Sequence, residues 1–199
     1  RVVFTPSKCL AVKKLYPEVE FLIQSSSVRC YSDKEYSDLG FNVVNDVSSA
    51  DVLIGVKEVP IDKLIANKKY FFFSHTIKKQ PYNKNLLLSI LENNIQLFDH
   101  ETIVDKNNNR LIGFGYYAGV VGAYNGFRAF GLKNKSFNLP KASDVKDRDQ
   151  LNSELLKITI PNIKIVLTGK GRVGSGAKEI LDFLKIKEVS VSDYLNNSF

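Results

Sequence analysis

The sequence predicts an α/β protein with a mostly parallel sheet, and three observations carry that reading. Short β-branched and aromatic runs alternate with stretches of helical periodicity along most of the 199 residues. The helical stretches open on capping residues and stop at glycine or proline. A glycine-rich turn follows one β-branched run and opens another helical stretch. With 44% hydrophobic and 25% charged residues, the chain has apolar surface enough for a packed core.

Taken in order, Thr5-Pro6-Ser7 caps a helix that carries Leu10, Val12 and Leu15 and ends at Pro17. Val19 to Ile23 reads as a strand, Asp33 to Leu39 as a short helix stopped by Gly40, and Phe41 to Val44 as the next strand. Val52 to Val56 and Tyr70 to Ser74 are two more strands. A helix over Asn85 to Asn93 precedes a strand at Ile95 to Phe98, a polar turn at Asp105 to Asn109 and a further short strand at Leu111 to Phe114. No charge falls between Arg110 and Arg128. Gly115, Gly119, Gly122 and Gly126 recur there along one helical face, which predicts a buried helix with a small-residue side rather than a membrane span. Residues 1–138 are thus expected to form one α/β domain. Residues 139–161 form a connector, with the charged segment Lys141 to Lys157. Residues 162–199 begin a second domain that is expected to be cut short.

The net charge of +7 asks whether nucleic acid is a partner. The basic residues are scattered, apart from pairs such as Lys13-Lys14 and Lys78-Lys79, so neither nucleic acid nor a membrane is the expected partner. A phosphate-bearing cofactor or a small acidic substrate accounts for the charge equally well. Cys9 and Cys30 read as free thiols of an intracellular, cytoplasmic enzyme. With two histidines and no Cys-x-x-Cys, no metal site is expected. The oligomeric state is left open.

The β-branched run Ile163 to Thr168 leads into Gly169-Lys170-Gly171-Arg172-Val173-Gly174, and helical periodicity follows to Leu184. Glu188 to Ser192 then reads as a second strand closed by Asp193. Strand, G-x-G-x-x-G, helix and an acid about 20 residues on form the context of a dinucleotide site. Gly169 permits the tight turn, Gly171 lets a pyrophosphate approach the backbone, and Gly174 lets the helix lie close to the strand. Asp193 in this role binds a ribose diol and favours NAD over NADP; otherwise it is a helix cap. Arg110 either reaches a phosphate or is a solvated turn residue.

Two ionisable residues stand out in apolar surroundings. Lys57 closes the run Ala50 to Val56, and His75 follows Tyr70 to Ser74. A strand, a connection and another strand fit between them, so both reach one sheet edge. A lysine whose pKa is lowered by burial and a histidine titrating near neutrality form an acid–base pair. Taken singly, each also reads as a surface lysine and a core histidine.

Several segments together resemble one family. Arg1-Val2-Val3-Phe4-Thr5-Pro6 resembles the opening shared by alanine dehydrogenase, the N-terminal part of proton-translocating transhydrogenase and lysine-forming saccharopine dehydrogenase. Val28 to Tyr36 is similar to the second motif of that family, and Gly55-Val56-Lys57-Glu58-Val59-Pro60 to its G-x-K-E-x-P. Phe73 to Gln80 and Phe114 to Gly122 resemble the saccharopine branch, and Gly171 to Ala177 its dinucleotide turn. The resemblance implies a Rossmann-like first domain and the start of an NAD-binding Rossmann domain, with the active site between them.

It further implies that Lys57 and His75 are the catalytic acid–base pair and that Arg1 holds a substrate carboxylate. Gln80 and Phe114 line the substrate site, and Gly171, Arg172 and Asp193 meet the cofactor. Asn109 departs from the two adjacent arginines often found in lysine-forming enzymes. The expected activity is NAD-dependent oxidation of saccharopine to lysine and 2-oxoglutarate, or its reverse. The alternatives are deamination of a small amino acid of the alanine dehydrogenase type and a non-catalytic nucleotide-binding module. Without the rest of the second domain, the 199 residues alone are expected to be inactive.

Overall fold

The computed structural model describes residues 2–196, and the chain divides into two compact units between Gly113 and Phe114. The first unit is built as the alternation predicts. Helix α1 (Pro6–Leu15) starts at Thr5, whose hydroxyl accepts from the Lys8 N–H, and ends with Lys13 and Lys14 in its last turn. Strand β1 (Leu22–Gln24), helix α2 (Asp33–Ser37) and strand β2 (Asn42–Val44) follow. Ser32 and Glu35 close a capping box at the start of α2. Strands β1 and β2 pair in parallel, Leu22 with Asn42.

Strands β3 (Val52–Lys57), β4 (Lys69–Phe73) and β5 (Gln96–Asp99) form a second parallel ladder in the order β3-β4-β5. The single sheet expected from the sequence is thus two ladders among the described residues. The aromatic run of β4 makes it the central strand, with Tyr70, Phe72 and Phe73 buried. Helix α3 (Lys84–Glu92) lays Leu86 and Ile90 against Tyr70, Phe72 and Ile95 to form the core. The short strand expected at Leu111 to Phe114 does not form; the nearest pairing is an isolated antiparallel bridge, Val104 to Arg110, closing the turn at Asp105. Asp105 accepts backbone N–H groups from Asn107 and Asn109, a local bonding that stands in for a ladder.

The second unit holds α4 (Gly115–Asn134), α5 (Arg148–Leu155), α6 (Arg172–Phe183) and α7 (Val191–Asn196). The boundary between the compact units falls before α4, because α4 packs along α6. A side chain at Gly119 would run into the Val173 carbonyl, and one at Gly176 into the Tyr116 carbonyl. The glycine face is therefore used only in part, for nothing lies within 4 Å of a Cβ at Gly122 or Gly126. The expected connector is also core: Leu139, Leu151 and Leu155 pack with Val120, Tyr124, Phe127 and Ile180.

Residues 163–168 and 188–190 form no strand. A strand needs a neighbour to take its backbone donors and acceptors, and the described residues supply none. Residues 163–167 instead border an apolar cavity of about 730 Å³ with Phe127 and Phe130 of α4 and Leu181 of α6. Asp193 ends no strand either: it lies in the first turn of α7, where its carboxylate accepts from the Ser190 hydroxyl and its N–H donates to the same oxygen.

Candidate active site

Parallel pairing sends the C-terminal ends of β3, β4 and β5 to one edge, the usual place for a ligand in such sheets. Lys57 is the last residue of β3 and pairs in register with Phe73 of β4. His75 lies two residues beyond β4, and its ring stacks on Phe73 with centroids 6.2 Å apart and planes at 25°. The structure thus brings Lys57 and His75 to the same sheet edge, both next to Phe73. Lys57 is exposed rather than buried, and its side chain makes no hydrogen bond or ion pair among the described residues.

His75 has φ +57°, a left-handed conformation that costs a non-glycine residue about 1–2 kcal/mol. Buried bonds hold it there. The Ser74 hydroxyl, fully buried, donates to Asp99 and accepts from the Thr76 N–H at 3.1 Å. The other oxygen of Asp99 accepts from the Glu101 N–H at 2.8 Å. Asp99 therefore ties together the segments that leave β4 and β5. The result sets Glu101 against His75, with Oε2 3.0 Å from Nδ1. A carboxylate only accepts, so Nδ1 carries the proton and Nε2 is the ring atom available for exchange.

Glu101 is about one-tenth exposed and also meets Lys78 and Arg110, each at 3.3 Å. Burial alone raises its pKa. The hydrogen bonds from His75 and Lys78 and the charges of Lys78 and Arg110 outweigh burial and hold it below the ordinary value. Sequence reasoning missed Asp99 and Glu101. The signal for them was a polar triplet, Asp99-His100-Glu101, directly after an apolar strand, the same pattern that singled out Ser74-His75.

The other residues fall in different places. Gln80 is exposed, and its Oε1 accepts from the Tyr82 hydroxyl at 2.7 Å. Arg110 is half-exposed on Glu101. Phe114 precedes α4 and belongs to the second unit. Arg1 lies outside the described residues.

In the second unit, Gly169 has φ +89°, which favours glycine. A side chain at Gly174 would strike the Gly169 carbonyl, so this glycine lets the turn fold onto its own helix rather than onto a strand. Gly171 is the residue before α6; no side chain caps the helix, and a Cβ there would have nothing within 4 Å. The start of a 12-residue helix with no side-chain cap suits a pyrophosphate, so these residues fit a dinucleotide. Arg172 is exposed in the first turn of that helix. No group of His, Cys, Asp and Glu among the described residues is placed to hold a metal ion. Cys9 is buried and Cys30 exposed, both free. No helix among the described residues is long and apolar enough to cross a membrane.

The family described as alanine dehydrogenase/PNT, N-terminal domain, matches residues 1–121. The chain belongs to that family. Among its relatives, alpha-aminoadipic semialdehyde synthase, mitochondrial, of Mus musculus is 33% identical over 207 residues, which cover 95% of this chain and 22% of that protein. The NAD(+), L-lysine-forming saccharopine dehydrogenase of Yarrowia lipolytica is 28% identical over 189 residues, covering 86% of this chain and 51% of that protein. A solved L-alanine dehydrogenase has a similar fold, with a TM-score of 0.64 at 17% identity, covering 100% of this chain and 54% of that one. The chain therefore spans about a fifth of the synthase and about half of the two dehydrogenases.

Proposed function

We propose that this chain carries the acid–base residues and the opening of the cofactor site of an NAD-dependent amino-acid dehydrogenase, whose reaction is the interconversion of saccharopine with lysine and 2-oxoglutarate. One observation supports this most: Lys57 and His75 share the C-terminal edge of a parallel sheet, and Glu101 sets the tautomer of His75.

Bound NAD supplies the hydride acceptor. Lys57 takes the proton that the secondary amine loses as its C–N bond is oxidised to an imine. Water adds across the imine carbon and nitrogen. His75, through Nε2, moves the protons that let the resulting carbinolamine break into a carbonyl and an amine. Arg1 pairs with a substrate carboxylate in bidentate fashion, and Gln80 and Phe114 line the substrate. Gly169, Gly171 and Gly174 admit the pyrophosphate to the start of α6, and Arg172 and Arg110 offer it positive charge. Asp193 takes the ribose diol by giving up its bond to Ser190. Residues 1–138 are the substrate domain and 162–199 the cofactor domain in this reading. The compartment proposed is the cytoplasm, although the mouse relative is named mitochondrial; cell fractionation separates the two.

The test is NADH formation by the full-length protein with saccharopine and, separately, with L-alanine. Turnover of saccharopine is expected, with Lys57→Ala lowering kcat by about 10²–10⁴-fold and substrate binding far less. Turnover of L-alanine alone reassigns the substrate. NAD binding without turnover of either substrate replaces the enzyme with a nucleotide-binding module.

A further inference from the structure

We propose that His100 is a positioning residue that aims Lys57, acting through a hydrogen bond from its Nε2–H to the Gly55 carbonyl. The proposal rests on the reading of Lys57 as the acid–base group. Ile54 of β3 pairs with Phe71 of β4, and Lys57 pairs with Phe73, so three steps along β3 match two along β4. That extra residue is a bulge, and bulges re-aim the side chain that follows them. Side chains alternate along a strand, so without the extra residue Lys57 would face away from Phe73. With it, Lys57 shares the face of Phe73, the ring on which His75 stacks.

Gly55 lies inside this bulge, where regular pairing with β4 is lost. Its carbonyl is taken by His100 Nε2 at 3.1 Å. His100 comes from the far side of the sheet: it follows β5, and its backbone N–H donates to the Phe72 carbonyl at 3.1 Å. The imidazole packs edge-on to Phe73, with centroids 5.2 Å apart, and so spans the central strand. One side chain therefore joins the ends of the two outer strands beside Phe73, the residue that pairs with Lys57 and stacks on His75.

Packing alone does not account for a histidine here. His100 is 6% exposed, and its Nδ1 is buried with no hydrogen-bond partner. A carbonyl only accepts, so Nε2 holds the proton and Nδ1 is a bare acceptor facing apolar surroundings. A phenylalanine or leucine would fill the space without leaving a polar atom unsatisfied. The bond to Gly55 is what the imidazole adds.

The test uses the full-length protein, with Lys57→Ala as control. His100→Phe is expected to lower kcat by about ten- to a hundredfold, because a small misplacement of a reacting group has effects of that size, while KM stays within about twofold. His100→Gln, which keeps an N–H donor, is expected to recover most of kcat. An unchanged kcat in His100→Phe, or equal losses in the Phe and Gln variants, overturns the positioning role. If Lys57→Ala itself turns over normally, the acid–base reading fails instead, whatever the His100 variants do. Should His100→Phe not fold, ¹⁵N NMR of labelled histidine in the unaltered protein decides the matter. A proton on Nε2 with Nδ1 bare is expected, and the opposite tautomer overturns the proposal.

Discussion

At the edge of β3, β4 and β5, side chains make the site. His75, Lys78 and Arg110 converge on Glu101, and buried Ser74 and Asp99 hold the two supporting segments. At the turn before α6, missing side chains make it: Gly171 leaves the backbone open, while Gly174, Gly119 and Gly176 admit carbonyls where a methyl cannot go. The first arrangement depends on charge and is graded. The second depends on steric exclusion and fails at once. The two regions therefore answer to different perturbations.

The largest expected effect is steric. Gly119→Ala forces a methyl into the Val173 carbonyl, backbone that cannot turn aside. Overpacking of this kind should destabilise the second unit by about 3 kcal/mol, read from denaturant unfolding of the full-length protein. Unchanged stability means that α4 and α6 do not touch as described. Electrostatic damage at the sheet edge should be milder. Glu101→Gln removes the anion shared by the half-exposed cations Lys78 and Arg110, together with its hydrogen bond to His75, and should cost about 1 kcal/mol at pH 7.

The pH dependence has a definite sign. The Glu101 carboxylate has its pKa lowered by folding, so its stabilisation is complete above the ordinary value of 4.5 and is lost as pH falls through the lower folded value. Glu101→Gln should flatten that part of the stability profile, and an acid limb of the same steepness in both proteins removes the cluster from the account. The smallest effect has the opposite sign. Gly122 shares the helix with Gly119 but faces open space, so Gly122→Ala should stabilise by roughly half a kcal/mol through helix propensity. A loss there means that the open side of α4 is in contact after all.

The sequence made the first unit legible because each strand there has its partner in the chain, and the run Tyr70 to Phe73 could hardly be anything but a central strand. The positions of Lys57 and His75 followed from strand spacing. The bulge that turns Lys57 toward Phe73 did not, since nothing in Ile54-Gly55-Val56 announces an extra residue; it depends on pairing with β4. Glu101 escaped notice because its importance comes from His75, Lys78 and Arg110, partners distant or unremarkable in sequence. In the second unit, residues 163–168 have the composition of a strand but no neighbour to pair with, and Ser190 recruits Asp193 into a cap before any strand can form. Chain order sets α4 with the first unit's strands, whereas its glycines direct it to α6.

The reciprocal recesses on α4 and α6 carry one more consequence. Gly119 receives a carbonyl from α6, and Gly176 receives one from α4, so each helix is keyed into the other at two points. Losses at keyed points are not independent. Once a methyl at either position has pushed the helices apart, the second recess is already empty, and filling it adds little. A double substitution should therefore cost much less than the sum of its parts, so that neither glycine can drift alone without cost but both can be lost almost as easily as one.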